Sequence, residues 1–477
     1  MLDSNVEQLW DGRQNLVHLK EIVLTSSSKL IEIPDLSLAT NLEYLELGRC
    51  FLIKEFPKVP LKIKYLSLFK TAIEEVPSTI CNLKSLAGLD LGGCRRLKNI
   101  PTSIYKLKPL TLFGLCYQSN KRESQLEANI HLRELTDQLV WLSNVENLNL
   151  SGSNFREIPL AIKELNNLSA LLLEDCKRLQ SLPQLPMNLN YISASNCISL
   201  ETVASPLSTA AKGKFDSHRN YIWFNFSNCW KLDQNARNII AADVESRLLH
   251  WEDFYPGTLL SQIAAANISF SGSDVLDWFN YKSSGSSLTA KLPPHWCKDE
   301  LFSLVFCVVI EFNKFPRCCK EDYFYYNFHI RNNRGDSFHT KGGTMFPWRC
   351  ENDIQSNQVF LVYDQSLVNN WGILIPEEAA DEVDEISVDF WVGNDSINTV
   401  KNCGLHLLYT QDIEDRYRRS VVQPNFACGD LTQFSLKQDC VDDVEESVIQ
   451  DAKDNVDNPV EDSDPVRRKK MKGKLFH

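Results

Sequence analysis

Apolar residues in the first half of the chain follow one pattern. It runs L-x-x-L-x-L, then a small residue three positions on, then a closing apolar-proline pair. In Leu86 to Pro101 (LAGLDLGGCRRLKNIP), Leu86, Leu89 and Leu91 make the first part, Cys94 and Leu97 follow, and Ile100-Pro101 closes it. The L-x-L centre predicts a short strand with Leu89 and Leu91 on one face, and the later apolar residues bring the chain back over the same core. The template starts again at Leu19, Leu42, Ile63, Val145, Leu168 and Leu189, mostly 21 or 23 residues apart. A degenerate copy starts at Leu110 (LTLFGL), and Tyr221 (YIWFNFSNCWKL) opens a terminal copy in which aromatics replace leucine.

One such unit cannot hide its apolar face and needs a neighbour of the same shape on each side. The period and pattern are those of leucine-rich repeats. Residues 1–232 are therefore expected to form an α/β leucine-rich-repeat solenoid, a horseshoe of stacked coils. A polar insert at about 117–140 breaks the period and is expected to bulge as a loop or short helix. Repeat-like material (VEQLW) starts at the chain's beginning with no polar cap, so more protein is expected upstream.

Downstream the period changes. Ala236, Ile240, Val244 and Leu248 recur every fourth residue behind Asp233, a suitable N-cap, which predicts a linking helix in 233–254. Alternating runs follow at Phe324–Ile330, Ile386–Val392 and Leu405–Tyr409, with apolar runs at Leu301–Phe312 and Val359–Tyr363. They predict an antiparallel β-sandwich over 255–412. Residues 413–477 read as a tail, acidic and then basic (RRKKMKGK), expected to be mostly disordered.

The net charge of −12 argues against a surface built for nucleic acid. The polar, acidic opening MLDSNVEQLWDG is not a signal peptide, and Leu301–Phe312 is too short and too charged to span a membrane. Of fifteen cysteines, five share one repeat position: Cys50, Cys94, Cys176, Cys197 and Cys229. Ser27, Thr71 and Ser153 take that position in other copies, so a column of small donors bonding backbone groups is expected, with free thiols. No metal site is assigned. Cys318-Cys319 with His329 and His339 lack the spacing of a metal-binding motif, and strand-edge thiols are the plainer reading.

No catalytic constellation stands out. No G-x-S-x-G frames Ser286, and His295 has no evident orienting acid. Neither a catalytic residue nor a cofactor is assigned. Binding is the alternative, and it would use the residues that flank the strand leucines on the concave face. That register selects Glu21, Val23, Thr25, Tyr44, Glu46, Tyr65, Ser67, Phe69, Asp90, Asn147, Asn149, Ser151, Leu172, Glu174, Tyr191, Ser193, Trp223 and Asn225. Aromatics are frequent anchors, which singles out Tyr44, Tyr65 and Phe69 as a patch, although any one position can equally be an ordinary exposed residue. Trp278 and Phe279, beside the Ser283–Ser287 run (SSGSS), form a second candidate, with a turn that anchors buried tryptophans as the competing role.

Two segments carry a family resemblance: IPDLSLATNLEYLELGRC (Ile33–Cys50) within the repeats, and SFSGSDVLDWFNYKSSGSSLTAKLPPHW (Ser269–Trp296) with VKNCGLHLLYTQD (Val400–Asp412). Together they resemble the C-terminal half of a plant TIR-NB-LRR disease-resistance protein, repeats followed by a post-LRR C-JID domain. Phe270-Ser271-Gly272 and Val275 to Phe279 depart from that family's proline-glycine and I-P-E-W-F strings. The resemblance implies a jelly-roll/Ig-like fold for the second domain. It also implies the sensing part of an innate immune receptor, acting in the cytoplasm, with Arg467 to Lys474 as a candidate nuclear-import signal. Its implied partners are a pathogen effector or guarded host protein and, in a full-length form, its own nucleotide-binding and TIR domains. Neither a membrane nor nucleic acid is an expected partner, and oligomers are expected only with the upstream domains. The resemblance places the nucleotide switch and the NAD-cleaving chemistry in upstream domains. No G-x-x-x-x-G-K-[ST] loop and nothing resembling a TIR domain is present, so the chain is not expected to be an enzyme. The alternatives are an extracellular receptor-like binding protein, suggested by N-x-[ST] sites at Asn149, Asn167, Asn225, Asn267 and Asn394, and an adaptor without effector recognition.

Overall fold

The structure is a computed structural model. It describes residues 3–115 (except 11–13 and 15), 142–204, 208–209, 221–249, 265–293, 296, 301–312, 323–345 (except 333 and 336), 357–364, 383–392 and 399–422. The insert at 117–140, Cys318-Cys319, Asn394, His295 and the region after 422 lie outside the described residues.

Each repeat contributes a three-residue strand, as the L-x-L centre predicts. These are β1 (Glu21–Val23), β2 (Tyr44–Glu46), β3 (Tyr65–Ser67), β4 (Gly88–Asp90), β5 (Leu112–Gly114), β6 (Asn147–Asn149) and β7 (Ala170–Leu172). Two dipeptide strands, β8 (Ser181–Leu182) and β9 (Leu185–Pro186), precede β10 (Tyr191–Ser193). Their parallel partners β11 (Thr202–Val203) and β12 (Ser208–Thr209) precede β13 (Tyr221–Phe226). The central residues Leu45, Leu66, Leu89, Phe113, Leu148, Leu171, Ile192 and Phe224 lie in register down the sheet and are fully enclosed. Single 3-10 turns at Ser78–Asn82, Thr102–Lys106 and Leu160–Glu164 begin directly after prolines, whose fixed φ suits that start.

The cysteine column is present as read. Cys50, Cys94, Cys176, Cys197 and Cys229 are buried and free. Each thiol donates to a carbonyl of the preceding repeat: Leu24 (3.2 Å), Leu68 (3.0 Å), Leu150 (3.3 Å), Leu173 (3.1 Å) and Ala194 (3.1 Å). Each of these carbonyls, just past the end of a strand, also accepts a backbone N–H of its own repeat three residues on, so the thiol is an added donor that links neighbouring repeats. Burial pushes the Cys50 and Cys94 thiols up to about 11, which keeps them protonated as donors.

The linking helix spans Gln234–Leu249, with Asp233 accepting from the Ala236 N–H at 2.7 Å as its cap. Arg247, ion-paired with Asp243 (2.7 Å), reaches back to the carbonyl of Leu189 (2.5 Å) and ties this helix to the repeats.

The later strands are β14 (Ala265–Ser271), β15 (Tyr281–Ser284), β16 (Ser287–Lys291), β17 (Leu301–Glu311), β18 (Tyr323–Asn332), β19 (Ser337–Met345), β20 (Gln358–Asp364), β21 (Val383–Val392) and β22 (Thr399–Tyr409). The repeat sheet does not stop at β13. β14 pairs with it in parallel, and β20, β17, β22 and β15 continue the same sheet with antiparallel pairing. A second antiparallel sheet has the order β16-β21-β18-β19.

This explains why Leu301–Ile310 is apolar at nearly every position. Val305, Cys307 and Val309 join the core shared with the repeats and linking helix, while Leu304, Phe306, Val308 and Ile310 join the core shared with the second sheet. A strand buried on both faces has no position left for a polar alternation. The closing helix, Thr410–Val422, follows β22 directly. No described helix is long and apolar enough to cross a membrane.

Candidate protein-binding face

The first and third positions of the repeat strands form two rows beside the buried leucines. In register, the first row reads Glu21, Tyr44, Tyr65, Gly88, Leu112, Asn147, Ala170, Tyr191 and Trp223. The third reads Val23, Glu46, Ser67, Asp90, Gly114, Asn149, Leu172, Ser193 and Asn225.

Aromatic character concentrates at two places in the first row. Tyr44 and Tyr65 stack with ring centroids 4.6 Å apart and planes 9° apart. The Tyr65 ring leans over the neighbouring strand at Gly88, where an added Cβ would lie 2.4 Å from Tyr65 Cδ2. Phe69 is half-buried just past the end of β3, with Lys70 Nζ 5.0 Å from its ring centre. At the other end of the row, Tyr191 and Trp223 lie 6.1 Å apart, and Tyr221 meets the Trp223 ring edge-on at 6.0 Å. Five strand steps at ~4.8 Å put the two clusters roughly 24 Å apart along the ladder. Between them Leu112 is 41% exposed and Asn147 half-buried.

The polar candidates of the third row have a local role that the repeat register did not reveal. Glu46, Asp90, Asn149 and Asn225 each accept a hydrogen bond from the backbone N–H two residues later, at Gly48 (3.0 Å), Gly92 (2.8 Å), Ser151 (3.0 Å) and Ser227 (3.0 Å). They hold the chain where the strand turns away, as short acceptors do in Asx-type turns. Glu174 accepts from the Ser193 hydroxyl at 2.7 Å. Leu172 remains half-buried on the face. Burial raises the Asp90 carboxyl and the Tyr44 and Tyr65 phenols, and the Glu46 charge adds to all three shifts.

Several expected contact residues are buried: Ser67, Ser151, Ser193 and Asn225 on the strand face, and Phe279 against β22. Trp278 and Phe279 do not join the strand face. Their rings lie 4.4 Å apart, Trp278 meets His406 edge-on at 4.9 Å, and the Arg416 guanidinium sits 4.9 Å from the Trp278 centre. Arg416 also contacts Glu245 of the linking helix (3.2 Å), which accepts from the Tyr363 hydroxyl (3.1 Å). These side chains fasten the linking helix, β20, β22 and the closing helix together.

The SSGSS run is a corner between sheets, since β15 belongs to the large sheet and β16 to the second. Gly285 supplies a φ of 88°, and its N–H donates to Lys401 O. Trp296 is enclosed, with Nε1 donating to Val383 O at 3.3 Å. The run is thus a turn between sheets, and Trp296 is buried in the second sheet's core. Among the possible glycosylation sites, Asn225 and Asn267 are buried.

Residues 270–414 match the C-JID domain family, so the chain joins leucine-rich repeats to a C-JID domain. It corresponds to the leucine-rich-repeat and C-JID part of plant TIR-NB-LRR disease-resistance proteins. Disease resistance-like protein DSC1 of Arabidopsis thaliana is 31% identical over 348 residues, covering 66% of this chain and 27% of that protein. Disease resistance protein RPS4B of the same plant is 29% identical over 450 residues, covering 86% of this chain and 38% of its own length. The chain therefore spans only about a third of these relatives. A solved leucine-rich-repeat protein of Leptospira interrogans aligns with a TM-score of 0.28 at 18% identity, over 47% of this chain and 64% of its own, too distant to carry an argument.

Proposed function

We propose that this chain is the ligand-sensing part of a plant innate immune receptor, binding a pathogen effector or a guarded host protein in the defence response. Contact runs through the strand face, with Tyr44 and Tyr65 as one anchor and Tyr191, Tyr221 and Trp223 as the other. The observation that carries this reading is the stacked tyrosine pair. Two large rings held rigid by each other and by Gly88 offer wide contact area with little entropy left to lose. The likeness to disease resistance proteins supports the receptor role.

In the same reading the two later sheets form a single jelly-roll/Ig-like β-sandwich over 255–412, joined through the 233–254 linker and followed by a disordered tail. The protein works in the cytoplasm, with nuclear import through Arg467–Lys474, and reports to nucleotide-binding and TIR domains carried upstream. It performs no chemistry of its own.

The test is affinity purification from pathogen-challenged leaf tissue, with the chain as bait. Tyr44→Ala, Tyr65→Ala and Phe69→Ala combined should lose a protein that the unaltered chain retains, while circular dichroism stays unchanged. An identical set of retained proteins would remove this face as the contact surface.

A further inference from the structure

The repeat strands end on residues in the left-handed region. Ser26, Arg49, Lys70, Gly93, Gly152, Asp175, Asn196 and Asn228 have φ of 64°, 65°, 56°, 70°, 72°, 57°, 60° and 59°. The sheet imposes this conformation. The N–H of Ser26, Arg49, Lys70, Gly152, Asp175 and Asn196 donates to a carbonyl of the next repeat, for example Arg49 to Phe69 O and Lys70 to Gly92 O. Glycine, asparagine or aspartate suits such a position, and five of the eight are of those types. Arginine and lysine gain nothing there from the backbone, yet they occupy two adjacent repeats.

Those two repeats border a concavity of about 530 Å³. Arg49, Lys70, Arg95 and Arg96 line it, with Phe51 (52% exposed) at its edge, and none of the described residues that line it is acidic. Gly93 makes the room, because a Cβ there would lie 2.6 Å from Lys70 Cγ. On a chain of net charge −12, four cations around one hollow run against the average surface.

We propose that this concavity is a binding site for a small ligand carrying several phosphates, separate from the strand face described above. Its volume falls in the range of small-molecule pockets. Arginine forks match phosphate oxygens two at a time, while lysine supplies a point charge. An extended acidic peptide would need the charge to continue along the rim. Instead the column changes to Gly152, Asp175 and Asn196, and the positionally equivalent Lys177-Arg178 pair follows an aspartate, Asp175, where Arg95-Arg96 follow Gly93.

The test is isothermal titration of the whole chain, near physiological salt, with inorganic tripolyphosphate, myo-inositol hexakisphosphate and ATP. The double variant Arg49→Asn, Lys70→Asn keeps a residue suited to the left-handed backbone. It should raise Kd at least ~10-fold, as removal of charge-assisted contacts does. Arg95→Gln with Arg96→Gln should do the same from outside the strained column, while Lys177→Asn with Arg178→Asn should leave Kd unchanged. Stronger binding of ATP than of tripolyphosphate assigns Phe51 to a nucleobase; stronger binding of the inositol compound assigns a ring polyphosphate. No saturable binding of any of the three, or equal losses in all the double variants, overturns the proposal. Neither result bears on the tyrosine face, whose partner is a protein.

Discussion

Tyr65 stacks on Tyr44 at 4.6 Å because the next strand offers it a glycine, Gly88, in place of a side chain. The stack is therefore set by a residue with no side chain of its own to show on the face. Gly88→Ala is expected to drive Tyr65 off its ring partner and to cost about 1–3 kcal/mol, the usual range for overpacking. Urea denaturation reads the stability, and near-ultraviolet circular dichroism reads the tyrosine environment. A variant with both signals intact would show that the ring can move without loss.

Leu89 lies in the middle row of the sheet at 1% exposure. Leu89→Ala should destabilise by about 2–5 kcal/mol. Loss of protein binding in that variant would report lost fold and not a lost contact, so it is the proper control for the tyrosine variants. A drop in urea midpoint of similar size for Leu45→Ala or Leu148→Ala is expected, because all three occupy equivalent places.

The five column thiols should resist modification while the fold holds. All are buried and hydrogen-bonded to carbonyls, and burial raises the Cys50, Cys94, Cys176 and Cys197 thiols, so little thiolate forms. Ellman's reagent at about pH 8 should leave them unreacted in buffer and modify them in urea. Cys94→Ala should cost about 0.5–1.5 kcal/mol by removing one of the donors to the Leu68 carbonyl, which keeps the Thr71 N–H and hydroxyl, and Cys94→Ser less.

Glu245 and His406 give stability opposite dependences on pH. Burial pushes the Glu245 carboxyl up to about 7, despite Arg416 and the Tyr363 hydroxyl, so the folded chain holds that proton more tightly than the unfolded one. Its contribution is complete below the ordinary carboxyl value of 4.5 and is lost as pH rises towards 7. Burial, with Arg416, pushes His406 down to about 3, so its contribution is complete above 6.5 and is lost as pH falls towards 3. The melting temperature of Glu245→Gln minus that of the unaltered chain should therefore rise between about pH 5 and pH 8. A difference that falls over the same interval would mean that the Arg416 pair outweighs burial.

The repeats were legible because each one repeats its own instructions. The L-x-L spacing located the repeat strands β1 to β7 and β10 but not the dipeptide strands β8 and β9, and the shared cysteine position anticipated the carbonyl-bonded column. The helix behind Asp233 followed from apolar residues four apart and a capping carboxylate. The strand rows were legible as rows, but not the state of each side chain. Whether Ser67 is covered, or whether Asp90 and Asn149 turn back to the backbone, depends on neighbours one repeat away, and a linear pattern does not describe them.

The sequence by itself determined that this chain stacks leucine-walled coils and follows them with strands, because burial of apolar residues at fixed spacing leaves few other arrangements. Only the tertiary structure decided that β14 adds to the last repeat strand and carries one sheet into the C-JID module. That pairing is made by backbone groups, which every residue offers alike. It likewise decided that two tyrosines from successive repeats touch, and that Arg49, Lys70, Arg95 and Arg96 surround one hollow. Residues up to 47 positions apart meet there through the pitch of the coil, a distance that sequence spacing implies only once the stack is built.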